Sequence, residues 1–393
     1  MRKAIMIAAA AGMFIAAATV PRGILAAAGF SAARPRVEVA FVLDSTGSMG
    51  GLIEGAKQKI WSIANSVIAQ KPTPEVRIGL VTYRDRGDEY VTKKFDLTGD
   101  IDTVFKDLQS FTADGGGDDP ESVNEALHVA VTGLSWSADR TVLKIIFLVG
   151  DYPPHMDYRD DVKYPESCRA AVKKGVIINT VQCGDVPETT PVWQEIARLS
   201  EGSYVALAQS GNMTAMTTPF DEEISKVSAA LGGTMVAYGN RERQAEARSK
   251  VEKAASAPAS VAADRAAYNL ASGGKAIQGT GDLVADYEDG SIDPAKVLTE
   301  LLPPEMQKMA SAERTRYIVK QKEARDGLNR TLTELARKRA DYISAEQKRI
   351  AATVPRGILA AAVPRGILAM SGAGDSFDTK VAEIIAAEAQ RPR

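Results

Sequence analysis

The sequence predicts an α/β protein: a Rossmann-like, doubly wound, mainly parallel sheet flanked by helices, followed by a smaller, mostly α-helical C-terminal region. Three observations carry this. The runs VEVAFVLD at 37–44 and VLKIIFLVG at 142–150 have the near-continuous hydrophobicity of strands buried on both faces. Segments with apolar residues at helical spacing alternate with such runs as far as residue 231. Beyond about residue 239 strand patterns stop and charged helical patterns take over. At 393 residues the chain has room for two domains.

The elements follow in order. Val37–Leu43 is the first strand, and Leu52, Ile53, Ala56, Ile60, Ala64, Val67 and Ile68 stripe a helix that ends before Pro72. RIGLVTY at 77–83 is the second strand, with 91–97 an edge strand joined to it by a hairpin over 84–88. Residues 100–111 read as a helix with Val104, Phe105, Leu108 and Phe111 inward. In the next helix Val123, Ala126, Leu127, Ala130 and Val131 share a face. Pro120 suits its first helical position, which makes Asp119 the expected N-cap and puts Glu121 in the first turn, at the positive end of the dipole. Strands 142–150, 176–183 and 203–207 then alternate with helices 165–174, 191–199 and 221–231.

The C-terminal half divides less sharply. We expect 1–33 as a signal peptide or N-terminal anchor, 36–235 as the sheet domain, 236–265 as a linker or charged helix, and 266–393 as a helical region. Residues 311–349 form a long charged helix in which Leu328, Leu332, Leu335 and Tyr342 make a coiled-coil-like seam. Arg339 interrupts that seam, so the helix either packs on its own domain or joins an oligomer. VPRGIL occurs within 18–28 and twice more within the insert at 352–370, a repetition without folding logic. The tail 375–390 resumes the helical pattern.

A net charge of −2 and a pI near 6.0 give no polyelectrolyte character, so nucleic acid is not an expected partner. Arg2 and Lys3 precede an apolar run from Ala4 to Val20, the layout of a secretory signal or, uncleaved, of a membrane tether. The expected location is therefore the periplasm, cell envelope or exterior. In that setting Cys168 and Cys183, both assigned to the sheet's carboxyl edge, form either a disulfide stabilising by about 3 kcal/mol or two buried thiols, and we favour the disulfide.

The chemistry concentrates where the first strand ends. Asp44, Thr46 and Ser48 alternate around Gly47 and can aim a carboxylate and two hydroxyls at one point beyond the strand. Hard oxygens without His or Cys suit Mg²⁺, Mn²⁺ or Ca²⁺. Two more acidic positions end on the same edge: Glu121 in GGGDDPE and Asp151 after the strand 142–150. Three carboxylates around one void repel unless a divalent cation lies between them.

Asp44-Ser-Thr46-Gly-Ser48 resembles the D-x-S/T-x-S signature of the von Willebrand factor type A domain at its metal-ion-dependent adhesion site. The third loop is similar to the form in integrin β-subunit domains of this class. The resemblance covers roughly 37–231 and implies Glu121 as the third-loop ligand and Asp151 as the last, through water. It also implies a second Ca²⁺ site whose ligands match Asp85, Asp118, the Pro120 carbonyl and Glu121. His155 either contacts a ligand or is an exposed loop residue. The expected function is metal-dependent protein–protein interaction or adhesion, with an open coordination position completed by an acidic residue of a protein partner. The alternatives are a metal-dependent hydrolase or phosphatase, and a structural metal with the C-terminal helices as the working part. The dehalogenase-type phosphatases need a second Asp where this chain has Thr46, and no nucleophile elbow, Walker loop or dinucleotide fingerprint follows any strand, so no enzyme activity is expected.

Overall fold

The computed structural model describes residues 34–117, 119–213, 215–353 and 376–391. The expected signal or anchor at 1–33 and all three VPRGIL copies lie outside the described residues, as does Asp118. The described residues contain six strands: β1 (Arg36–Asp44), β2 (Glu75–Tyr83), β3 (Thr92–Thr98), β4 (Leu143–Gly150), β5 (Val176–Cys183) and β6 (Tyr204–Leu207). They form one sheet in the order β3-β2-β1-β4-β5-β6, with only β3 antiparallel to its neighbour. The helices are α1 (Gly50–Ile68), α2 (Ile101–Gln109), α3 (Val123–Gly133), α4 (Tyr164–Lys174), α5 (Thr189–Leu199), α6 (Asp221–Gly232), α7 (Arg241–Ala255), α8 (Ala259–Ala271), α9 (Leu283–Glu288), α10 (Ser311–Thr353) and α11 (Phe377–Ala389).

Strand alternation sorts the core into two layers. On β1, Val39, Phe41 and Leu43 face one side with Phe147 and Val149 of β4, against α1, α2 and α11. Ala40 and Val42 face the other side with Ile146 and Leu148, against α3, α4 and α5. This sorting overturns the expected disulfide. Cys183 on β5 points into the first layer and Cys168 on α4 into the second, so the sheet stands between them, and both are free, buried thiols.

The C-terminal residues cover the first layer. Phe377 of α11 lies with its ring centroid 6.1 Å from Phe41, which stacks on Phe147 at 5.6 Å, and its N–H donates to Gly211 O at 2.9 Å. On α8, Tyr268 meets Trp61 of α1 edge-on, and Arg265 makes a buried two-pronged pair with Asp102 of α2 at 2.7 and 2.9 Å. The α10 seam faces inward on α6 and α8: Leu332 and Leu335 are buried there, and Tyr342 meets Phe220 edge-on. Arg339, which interrupts the seam in the sequence, reaches Asp221 of α6 at 2.7 Å and Asp264 of α8 at 2.6 Å. Among the described residues no helix is long and apolar enough to cross a membrane.

One helix start differs from expectation. α3 begins at Val123 with Ser122 in the N-cap position, not Asp119. The chain just before it is extended: Glu121 N donates to Pro153 O and His155 N to Glu121 O, both at 3.0 Å, in a β-bridge with Pro154. Glu121 is thereby taken out of the helix's first turn and held against the loop that follows β4.

Candidate metal centre

The sharp end of β1 sets the first loop. Asp44 is wholly buried, and its Oδ1 accepts from Thr46 N at 2.8 Å and Thr46 Oγ1 at 2.7 Å. Thr46 Oγ1 lies 3.4 Å from Ser48 Oγ, and Ser48 is the member of the set that reaches solvent. The second loop follows β2. Arg84 is buried there and ties three loops together: Nε donates to Ser45 O at 3.2 Å and Nη2 to Thr112 O at 2.8 Å. The third loop is drawn against the first by Gly47 N donating to Gly115 O at 3.2 Å and Asp114 N to Ser45 O at 3.0 Å.

Glycine makes this approach achievable at two positions. Gly116, at φ +76°, would with a Cβ meet Thr46 Cβ at 2.9 Å and Glu121 Oε1 at 3.0 Å. A Cβ on Gly150 would meet the Tyr83 hydroxyl at 2.4 Å and Asp44 Oδ2 at 3.1 Å. Any side chain at either place would fill the space between the acidic groups.

The carboxylates converge without enough partners. Asp44 Oδ2, Glu121 Oε2 and Asp151 Oδ1 are buried and accept no hydrogen bond. Burial, with Asp151 close by, pushes the Asp44 carboxyl up to about 8. Burial and the nearby Asp44, Asp85 and Asp151 push Glu121 up to about 9. Among the described residues no three His, Cys, Asp or Glu side chains form a metal-holding group by themselves. A cation here would draw on the Thr46 and Ser48 hydroxyls and on water as well. The donors are all hard oxygens and the buried carboxylate oxygens lack donors, so the set suits a divalent cation that accepts oxygen ligands.

Of the residues expected around a second cation, Asp85, Pro120 and Glu121 are described. Asp85 is buried rather than on a solvated hairpin, and both its oxygens are engaged: Oδ1 by Ser122 Oγ at 2.7 Å and Oδ2 by the Tyr158 hydroxyl at 2.8 Å. Pro120 lies in the bend before Glu121, and Asp118 falls outside the described residues. His155 is buried, not an exposed loop residue. Its ring stacks on Tyr158 at 4.1 Å, with Nε2 3.4 Å from Asp85 Oδ2 and Nδ1 2.9 Å from Asp157 Oδ1.

Sequence reasoning missed two residues. Arg84 was signalled only by a cation at the end of an apolar strand. Gln209, just past β6, had no signal, yet its Nε2 donates to Asp151 Oδ2 at 2.7 Å and fixes which oxygen of Asp151 remains without a partner.

Residues 38–218 match the sequence profile of the von Willebrand factor A domain. The human von Willebrand factor A domain-containing protein 7 is 36% identical over 100 residues, 25% of this chain and 10% of that protein. A putative ariadne-like RING finger protein, R811, of Acanthamoeba polyphaga mimivirus is 26% identical over 119 residues, 30% of this chain and 11% of that protein. The matches thus span about a tenth of those relatives' length. Among solved structures, the SpRpn10 VWA domain is 17% identical with a TM-score of 0.34, covering 44% of this chain and 89% of its own. Proximal thread matrix protein 1 of the mussel byssus, solved with a zinc-occupied MIDAS motif, is 17% identical with a TM-score of 0.34, covering 45% of this chain and 42% of its own.

Proposed function

We propose that residues 38–218, which match the von Willebrand factor A domain profile, make the chain an exported binding module. In this reading it holds a divalent cation and, through it, captures a carboxylate of a partner protein. The observation that carries the reading is the trio of buried, unpartnered oxygens on Asp44, Glu121 and Asp151, brought from three loops to one edge beside an exposed Ser48. Uncompensated buried carboxylates are costly, and a cation is the natural compensation. Asp44, Thr46, Ser48, Glu121 and Asp151 would hold it, Arg84 and Gln209 would keep the loops and Asp151 in place, and Ser48 marks where a ligand enters. The cation would supply an electrophilic point on which an incoming carboxylate completes the coordination. We assign no catalytic step.

The test is thermal unfolding of the chelated chain with Mg²⁺ or Mn²⁺ added back. Saturation at about a hundred times the dissociation constant should stabilise by roughly 2.7 kcal/mol, and Asp44→Ala should lose that gain. No gain, or the same gain in the mutant, would remove the site. Metal-dependent capture of partners from cell-envelope extract, with Asp44→Ala as control, then tests the binding role.

A further inference from the structure

The six connections on the metal edge of the sheet are 44–51, 84–91, 112–122, 151–163, 184–188 and 208–220. Their described residues include thirteen acidic and four basic ones, whereas the whole chain carries a net charge of −2. The remainder of the chain is therefore net basic, and the acidity is gathered at this one edge. The four cations soften it little. Arg84 is buried among the loops, Arg86 is spent on Asp160 and Asp161 at 3.0 and 2.6 Å, and Lys163 donates to Tyr158 O, which leaves Arg159 as the exposed one.

Four exposed acids have no lysine or arginine partner within salt-bridge distance among the described residues: Asp114, Asp119, Asp185 and Glu188. Each is tied to the mouth of the site. Asp114 N donates to Ser45 O at 3.0 Å, directly behind the first metal loop. Asp119 lies against the Tyr152 phenol, next to Asp151. Asp185 and Glu188 sit in the loop anchored by Thr189 Oγ1, which donates to Asp151 O at 2.7 Å.

A site of this kind poses an electrostatic problem for the ligand proposed above. One divalent ion offsets only two of the excess negative charges, so an isolated carboxylate approaching it is repelled by the rim. We infer that the partner presents its metal-binding carboxylate within a basic segment, with lysines or arginines on both sides that settle on Asp114 and Asp119 at one flank and Asp185 and Glu188 at the other. This rests on the metal reading and adds the chemical class of the partner. The acid rim alone would attract any cation. The buried, unpartnered oxygens of Asp44, Glu121 and Asp151 at its centre make it a place for a carboxylate as well.

The experiment uses the full chain and three synthetic peptides, each with one central Asp, flanked by Lys, by Ser or by Glu. Binding is measured in Mn²⁺ and in EDTA, and the Mn²⁺-induced thermal shift is recorded on the same samples. We expect the Lys-flanked peptide to bind at least about tenfold tighter than the Ser-flanked one at low salt, and the Glu-flanked one to bind weakest. The preference should collapse near 0.5 M NaCl, where screening reaches only about 4 Å. The quadruple variant Asp114→Asn, Asp119→Asn, Asp185→Asn, Glu188→Gln should lose the preference yet keep the thermal shift and the Ser-flanked affinity. Equal affinities for the three peptides, an unchanged preference in the quadruple variant, or Lys-flanked binding that persists in EDTA would each overturn the inference. A thermal shift without peptide binding overturns this inference alone, whereas absence of the shift brings down the metal reading beneath it.

Discussion

At Asp44 one carboxylate oxygen takes two short hydrogen bonds from Thr46 and the other takes none, and Glu121 and Asp151 repeat the pattern of a buried oxygen left alone. In the chelated protein these groups oppose one another, so Glu121→Gln should raise its unfolding temperature by about 2 °C or more while weakening the response to added Mn²⁺. A lowered unfolding temperature in chelator would contradict the repulsion. The two thiols give a second residue-level expectation. Burial pushes the Cys168 thiol up to about 12 and raises Cys183 as well, so at pH 8 both stay protonated and unreactive. Both cysteines should resist a disulfide-exchange reagent in the native chain and react fully in denaturant, with no disulfide by mass. The D-x-T-x-S run was readable in the sequence because three oxygen side chains at alternate positions past an apolar strand have few other uses. The disulfide was misread because strand and helix ends locate a residue along the sheet but not above or below it. Gln209 was invisible, since an amide in a polar loop becomes meaningful only when Asp151 is beside it.

At the level of elements, the contacts that matter most join segments far apart in sequence. The α2–α8 junction is a buried Arg265–Asp102 pair, to which Gln278 N adds a bond at 2.8 Å. Removing one member leaves an uncompensated buried charge, so Arg265→Met should cost about 3–5 kcal/mol in urea unfolding. Arg265→Met with Asp102→Leu should recover much of that loss, and a double variant as unstable as the single would contradict the assignment. Phe377→Ala, which removes the α11 ring packed on Phe41, should likewise cost about 3–5 kcal/mol. The strands and α1 to α6 were legible because apolar periodicity marks them. The roles of α7, α8 and α10 were not: their contacts mix apolar side chains with buried charged ones, and Arg339 looked like a flaw in an apolar seam although it holds α10 to α6 and α8.

Over the whole molecule the sheet region and the C-terminal helices share core clusters, with Val261, Tyr268 and Phe377 packed among β-strand residues. Denaturation should therefore be a single cooperative event. All three tryptophans, Trp61, Trp136 and Trp193, precede residue 200, while α7 to α11 hold more than half of the residues in the described α-helices. Tryptophan fluorescence and far-ultraviolet circular dichroism should trace one coincident urea curve, and two separated transitions would show that the regions melt independently. The position of α11 also bears on how the protein is made. Phe41 and Phe147 are translated well before the helix that roofs them, which follows β6 by some 170 residues. At ordinary elongation speeds that interval is about 10–35 s. Throughout it the nascent chain would leave the part of the first layer beneath α11 uncovered, a natural client for a holding chaperone until α11 arrives.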